Sequence, residues 1–214
     1  LKRQSDNNFW TVFDEPRLLE FFGCKAYASL KLDGAQVIFH FVVRDAKMVL
    51  NGIYTHNGHP IATFSGDKWV KHQRKFMGVD VQRIGFQNPE PLQILADKLG
   101  QLYPTATSVR IFSELMHPTS GQVIKRQKGS VYSDTRPELL KPGNNLPVFQ
   151  AYVGLPDSTK PVKFRPSSDP KMQELFSSVP IPEMLVEGDF APEFINKVCE
   201  VLISRHRQDE GAVI

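Results

Sequence analysis

The pair Asp33-Gly34 stands between two apolar stretches of the sequence, and this arrangement constrains how the first part of the chain folds. Asp-Gly between apolar segments is the strongest short-range signal for a β-hairpin. We therefore expect a strand over residues 26–32, a turn at the Asp-Gly pair, and an antiparallel partner strand over residues 35–43. The fold is thus expected to begin with antiparallel strands.

A lysine precedes this pair: Lys31, flanked by Leu30 and Leu32. A lysine between leucines on a strand loses hydration, which disfavours its charged form and favours a neutral, nucleophilic amine. The same residues also fit a solvated lysine beside a tight turn, because short motifs often match by chance. The rest of the chain decides between the two interpretations.

Further short strands follow along the chain. We expect strands over residues 48–53 and 61–64, separated by Asn-Gly pairs, so that the first third of the chain is an antiparallel meander. Two more strands are expected over residues 108–116 and 146–155. Between these last two, residues 117–147 form a long stretch rich in Gly, Pro, Ser and charge, which is typical of a functional or mobile loop.

Two segments have the periodicity of helices. The first opens at Asn88-Pro89, where a capping residue precedes a proline, and closes at Pro104. The second covers residues 192–207. The residues expected on their buried faces are Leu92, Leu95, Leu99 and Leu102 in the first helix, and Phe194, Val198, Val201 and Leu202 in the second. Together with the strands, these helices predict an α+β fold of antiparallel sheets flanked by helices.

Composition limits the class of protein. A length of 214 residues suits one domain, and we expect a single domain over residues 1–214. No segment reaches the roughly eighteen apolar residues that a membrane helix needs, so no membrane partner is expected. The cysteines Cys24 and Cys199 lie among apolar residues and are expected to be buried free thiols, which predicts an intracellular, reducing compartment (cytosol, nucleus or mitochondrion). The net charge of +3 is compatible with nucleic-acid binding.

Three short segments, in this order, resemble the motifs of the covalent nucleotidyltransferase superfamily of ATP-dependent ligases and mRNA capping enzymes. Lys31-Leu32-Asp33-Gly34 is similar to the nucleophile motif of that superfamily. Phe112-Ser113-Glu114 is similar to a strand motif that ends in Gly-Glu, and Glu210-Gly211-Ala212-Val213 to a glutamate-glycine motif. The resemblance implies a nucleotidyltransferase (ATP-grasp-like ligase) fold, with residues 1–214 as one adenylyltransferase domain.

The resemblance also implies a role for each matching residue. Lys31 would attack the α-phosphorus of ATP, while Glu114 and Glu210 would hold a divalent metal, Mg²⁺ or Mn²⁺, or the ribose hydroxyls. Phe149 or Phe112 would stack on the purine. The residues implied to contact the nucleotide are Leu30, Asp33, Gly34, Gln36, His56, Glu114, Phe149 and Glu210.

One position indicates the branch of the superfamily. DNA ligases and capping enzymes usually carry arginine two residues after the glycine of the nucleophile motif, whereas this chain has Gln36, an amide similar to the asparagine of RNA ligases. The implied reaction has three steps: Lys31 takes AMP from ATP, AMP passes to a 5′-phosphorylated RNA end, and a 3′-hydroxyl seals the strand. RNA with these two ends is the expected partner, and Lys125, Arg126 and Lys128 of the long loop are expected to contact it.

Two departures from the pattern leave other interpretations open. His56, in Thr55-His56-Asn57-Gly58, occupies the place of an arginine, and the final motif with two lysines is not found before Ile214. The chain is therefore expected to be truncated before that motif, and a further segment or a protein partner would complete the site. The alternatives are a DNA ligase or mRNA guanylyltransferase domain, or a catalytically degenerate relative that binds nucleic acid, for which His56 and Ser113 would be signs of decay.

Overall fold

Antiparallel sheets with helices beside them form the α+β fold that the sequence predicts. The computed structural model of the protein describes residues 16–32, 34–65, 68–76, 79–80, 89–115, 146–205 and 211–214. Among these residues, no helix has the length and apolar character needed to cross a membrane.

The elements follow one another along the chain with these bounds. The strands are β1 (Lys25–Leu30), β2 (Ala35–Arg44), β3 (Lys47–Thr55), β4 (Pro60–Ser65), β5 (Lys68–Lys71), β6 (Lys75–Phe76), β7 (Val79–Asp80), β8 (Ser108–Leu115), β9 (Val148–Gly154), β10 (Val162–Phe164), β11 (Met184–Asp189) and β12 (Ala212–Val213). The helices are a 3-10 helix (Pro16–Phe21), α1 (Glu90–Leu102), α2 (Pro170–Leu175) and α3 (Pro192–Ser204).

The larger sheet has seven strands in the order β10-β9-β8-β2-β3-β4-β5, and all neighbours are antiparallel. Its central strand β2 alternates between buried and partly exposed side chains, as a strand with one covered face must. The buried side chains, such as Phe39 and Phe41, join the main core. Helix α1 contributes Leu95 and Leu99 to the same core. One face of this sheet is therefore covered by α1.

The smaller sheet has three strands in the order β11-β1-β12, again antiparallel. Helix α3 covers it, because Phe194, Ile195 and Val198 pack with Ala28 and Val186 in a second apolar cluster. Strands β6 and β7 form a separate two-stranded pair.

The predicted hairpin between β1 and β2 is wrong, because the two strands lie in different sheets. Leu30 and Leu32 are buried in a small cluster with Leu185 and Leu202, on the side of the smaller sheet. Val37 and Phe39, by contrast, belong to the main core. The two apolar stretches therefore pack into different cores, and the chain crosses from one sheet to the other between them.

The real hairpin turn after β2 is Asp45-Ala46, which the sequence analysis did not identify. Both residues have positive φ, 49° and 60°, as a tight two-residue turn requires. The Asn51-Gly52 pair, expected to separate strands, lies inside β3. There His40 pairs with Gly52 and Phe41 with Leu50, so Asn51 is the extra residue of a β-bulge.

Several smaller expectations also need correction. Leu102 is 59% exposed, because α1 ends there and its last turn extends beyond the sheet. Cys24 is exposed rather than buried, and Cys199 is half-buried at the margin of the cluster under α3. Helix α3 ends at Ser204, three residues before the expected position.

Candidate functional site

Lys31 lies at the crossing between the two sheets and is half-buried. Its backbone N–H donates to the carbonyl of Gly211 over 2.9 Å, and the N–H of Leu30 donates to the carbonyl of Glu183 over 2.8 Å. Leu30 is 1% exposed and Leu32 9% exposed, so both neighbours of the lysine are anchored in apolar surroundings. The backbone that carries the Lys31 amine is therefore held on both sides.

Gly211 gives this anchoring a specific backbone geometry. Its φ is +144°, in the region that favours glycine, and it directly precedes β12, which pairs with β1. The glutamate-glycine segment predicted at residues 210–213 thus meets the nucleophile segment through its glycine carbonyl. Glu210 itself lies outside the described residues.

Glu114 connects the crossing to the larger sheet. The N–H of Gly34 donates to Oε1 of Glu114 over 2.9 Å, although 80 residues separate them. Glu114 is half-buried on β8 and pairs in register with Gln36 on β2. This bond brings a carboxylate of the second motif to within three residues of Lys31.

Gln36 and His56 form a side-chain pair at the same end of the sheet. Oε1 of Gln36 lies 2.8 Å from Nδ1 of His56, so the imidazole donates to the amide oxygen. His56 is exposed and lies in the turn between β3 and β4, where Gly58 has a positive φ of 78°. Two positions at which related enzymes carry arginine are thus in direct contact with each other.

We call the face of the larger sheet opposite α1 the site face; the residues that define it are Gln36, Ile38 and His40 on β2, Arg110, Phe112 and Glu114 on β8, and Tyr152 on β9. Paired residues of antiparallel strands share a face, which is how the register identifies this set. These side chains are partly exposed, in contrast to the buried residues that alternate with them.

Aromatic rings occupy the middle of the site face. The ring centroids of Phe112 and Tyr152 lie 4.6 Å apart, and those of Phe112 and Phe149 lie 6.4 Å apart. Phe112 is two residues from Glu114, or roughly 7 Å along the strand. The structure thus brings both predicted stacking candidates, Phe149 and Phe112, together beside the carboxylate. Tyr152 was not predicted as a site residue. It follows Phe149 by three residues on β9, and the bulge in that strand brings both rings to the same cluster.

A basic row that sequence reasoning missed crosses the site face beyond the aromatic rings. His40 pairs with Arg110, and Arg110 with Tyr152. Lys163 of β10 also pairs with Tyr152, and its Nζ lies 5.4 Å from the centroid of that ring. Burial lowers the pKa of His40 below its ordinary value, and the nearby Arg110 guanidinium lowers it further. Only the strand register could have identified these contacts.

Several predicted residues cannot be placed. Asp33, Glu210, Lys125, Arg126 and Lys128 lie outside the described residues.

Among the metal-binding side chains that the structure does describe, no three come close enough to hold an ion by themselves. Glu114 is the predicted metal ligand that can be placed. A single carboxylate fits a cation that is held mainly by nucleotide phosphates, as Mg²⁺ usually is.

Comparisons with known proteins give matches to solved structures alone. No protein-family model matches the chain, and the search of curated proteins finds no match. A protein assigned as an ATP-dependent DNA ligase from Aquifex aeolicus matches 91% of this chain and 41% of its own length, with 16% identity and a TM-score of 0.46.

Naegleria gruberi RNA ligase is also similar. A lysine-to-alanine mutant with ATP and Mn matches 92% of this chain and 47% of its own length, with 12% identity and a TM-score of 0.45. An apo mutant matches 92% and 48%, with 12% identity and a TM-score of 0.46. The chain thus spans less than half of each protein. These proteins are named as ligases, and at these identities and TM-scores the inference of function rests on the contacts of the site itself.

Proposed function

We propose that this chain is the adenylyltransferase domain of an ATP-dependent RNA ligase, with Lys31 as the residue that becomes bonded to AMP. The observation that carries the proposal is the bond from the Gly34 N–H to the Glu114 carboxylate. It connects the lysine segment to the strand that holds the aromatic cluster. One nucleotide could then reach the amine with its phosphates, Glu114 with its ribose or metal, and Phe112 with its base.

The proposed first step forms a bond between Lys31 and phosphorus. The Lys31 ammonium loses a proton, and its nitrogen attacks the α-phosphorus of ATP. The bond from that phosphorus to the bridging oxygen breaks, and pyrophosphate leaves. Glu114, together with Glu210, would hold Mg²⁺ or Mn²⁺, which neutralises charge on the triphosphate. Gly34 lets the backbone approach the nucleotide closely, because it has no side chain.

Two further transfers would complete ligation. An oxygen of the RNA 5′-phosphate attacks the phosphorus of the lysine-bound AMP and displaces the Lys31 nitrogen. The RNA 3′-hydroxyl then attacks the 5′-phosphate, a new phosphodiester forms, and AMP leaves. In this proposal Lys125, Arg126 and Lys128 contact the RNA.

Gln36 supports RNA ligase over DNA ligase and mRNA guanylyltransferase, and its side chain contacts His56. Gln36 replaces an arginine of the DNA-ligase and capping-enzyme pattern, and His56 replaces an arginine of the superfamily in general. The two replacements form one hydrogen-bonded pair. A neutral amide and an imidazole can lie 2.8 Å apart, whereas two guanidinium groups at that distance would repel each other. The hydrogen bond between the two replacement residues supports a working site with altered recognition over a decayed one.

The test uses ATP labelled at the α-phosphate, with Mg²⁺ or Mn²⁺. The wild-type chain should acquire acid-labile label, and Lys31→Ala should acquire none. Glu114→Gln should lower the labelling rate roughly 10- to 100-fold, because a metal or ribose contact loses its charge. Lys160→Ala, in the exposed loop before β10, is the control and should label like the wild type. ATP binding to Lys31→Met, measured by calorimetry, tests the nucleotide site apart from the chemical step; no label and no binding would contradict the proposal.

Substrate choice separates the remaining alternatives. Transfer of label from GTP instead of ATP would identify a guanylyltransferase domain. Sealing of nicked DNA in preference to nicked RNA would identify a DNA ligase. Salt-dependent RNA binding without any label on lysine would identify a degenerate nucleic-acid-binding relative.

A further inference from the structure

Gln150, on β9, has a buried amide whose nitrogen is unsatisfied. Its side chain is 7% exposed, and Nε2 has no hydrogen-bond partner in the described part of the protein. Buried polar groups are nearly always hydrogen-bonded, because an unpaired donor loses its hydration without compensation. A donor kept in this state therefore needs an explanation.

The strand register places this amide on the site face. Gln150 pairs with Phe112, and a β-bulge follows, because the next residue, Ser113, pairs with Val148. The bulge puts Phe149 and Gln150 together opposite Phe112. The amide thus lies beside the aromatic rings on which the proposed function places the purine.

A second buried polar group, Ser113, provides a comparison. Its Oγ is also buried and has no partner among the described residues. Ser113 pairs with Val37 on one side and Val148 on the other, and both valines are fully buried in the main core. The hydroxyl of Ser113 therefore faces the core, and the two unsatisfied groups lie on opposite faces of the sheet.

We propose that Gln150 recognises the base of the bound nucleotide and selects adenine over guanine. This inference rests on the proposed nucleotide site. A glutamine amide can donate through Nε2 to N7 of adenine and accept from the 6-amino group through Oε1. Guanine presents a carbonyl oxygen in place of that amino group, so it would face Oε1 and be disfavoured. The bound base would then accept the hydrogen bond that Nε2 of Gln150 donates to no residue in the described part of the protein.

The test is Gln150→Leu, which keeps the approximate size of the side chain and removes the amide. Because it removes an unsatisfied buried group, its unfolding temperature should equal or exceed that of the wild type. Its affinity for ATP, measured by calorimetry, should fall roughly 10- to 100-fold. Its preference for ATP over GTP should be lost. Gln150→Met is the second variant if the leucine does not fold.

Ser113→Ala is the matched control. It removes the other unsatisfied group, so its unfolding temperature should also rise, but its affinity for ATP and its preference for ATP should stay at the wild-type values. If Gln150→Leu or Gln150→Met gains stability and keeps both the affinity and the preference, the amide does not recognise the base, and the inference is overturned. If the wild-type chain binds no nucleotide at all, the proposed function fails first and this inference fails with it.

Discussion

Ala46 has a backbone conformation that side chains disfavour. It is the second residue of the turn between β2 and β3, with a φ of 60°, and Asp45 before it has a φ of 49°. Aspartate tolerates this region, whereas alanine gains nothing there and its Cβ crowds the following carbonyl. This conformation is nevertheless adopted, because the turn joins β2 and β3, which form the longest hairpin of the larger sheet.

We expect Ala46→Gly to stabilise the protein. Relief of the left-handed conformation is worth about 1–2 kcal/mol and exceeds the roughly 0.5–1 kcal/mol of entropy that glycine loses on folding, so the free energy of unfolding should rise by about 1 kcal/mol. That gain corresponds to a rise of roughly 2–4 °C in the unfolding temperature for a chain of this length. Ala62→Gly, in the interior of β4, should change stability in the opposite direction. An unchanged or lower unfolding temperature for Ala46→Gly would show that the turn is not strained.

His40 gives the site face a dependence on pH. Burial is the main cause of its lowered pKa, and Arg110 opposite is the second. In the unfolded chain a histidine has a pKa near 6.5, so the unfolded state binds the proton first as the pH falls. The folded state is therefore favoured above that pH, and its advantage is lost as the pH drops toward the folded pKa.

The measurement for His40 is an NMR titration of its imidazole together with urea unfolding at two pH values. The imidazole of His40 should titrate below 6.5, and Arg110→Ala should move its pKa upward. The loss of stability between pH 7.5 and 5.5 should be smaller in His40→Gln than in the wild type. An equal loss in both proteins would mean that His40 is not the group responsible.

At the scale of elements, the end of α3 is connected to the strand that precedes Lys31. Both guanidinium nitrogens of Arg205 donate to the two carboxylate oxygens of Glu183, over 2.6 and 2.7 Å. The backbone carbonyl of Glu183 accepts the N–H of Leu30. Three parts of the fold are thus held together next to the proposed nucleophile: the end of α3, the segment that precedes β11, and strand β1.

We expect Arg205→Lys to lower stability even though the charge is kept. An ammonium group cannot make two parallel bonds to a carboxylate, so the planar geometry is lost. The cost should be about 0.5–1 kcal/mol, because the pair is partly exposed to solvent. Urea unfolding measures it. The more exposed pair of Lys25 and Glu187 is the control, and Lys25→Met should change the midpoint less than Arg205→Lys does. The reverse order would show that the bidentate pair adds no stability of its own.

Periodicity predicted most of the elements, and it failed where two apolar stretches follow each other. Strands β2, β3, β4, β8 and β9 and helices α1 and α3 were identified because one of their faces is buried, and burial leaves a period in the sequence. The segment around Asp33-Gly34 has the same local pattern whether its flanking strands pair with each other or with other strands. Which core Leu30 and Leu32 join is decided by Leu185 and Leu202, far along the chain.

At the scale of the whole molecule, the candidate site depends on segments from most of the chain. Lys31, Glu114 and Gly211 could be identified from short motifs, because each motif is a contiguous set of residues. The pair of Gln36 and His56, and the buried amide of Gln150, could not be identified in this way. Both depend on how the strands pair, and a shift of one residue in that pairing would turn these side chains to the other face of the sheet.

The most direct test of the central claim locates the AMP on the protein. The wild-type chain is incubated with ATP and Mn²⁺, digested, and analysed by mass spectrometry at a pH that preserves the phosphoramide bond. We expect one AMP on Lys31, and none on Lys25 or Lys163. AMP on another lysine, or unmodified Lys31 in a chain that binds ATP, would contradict it.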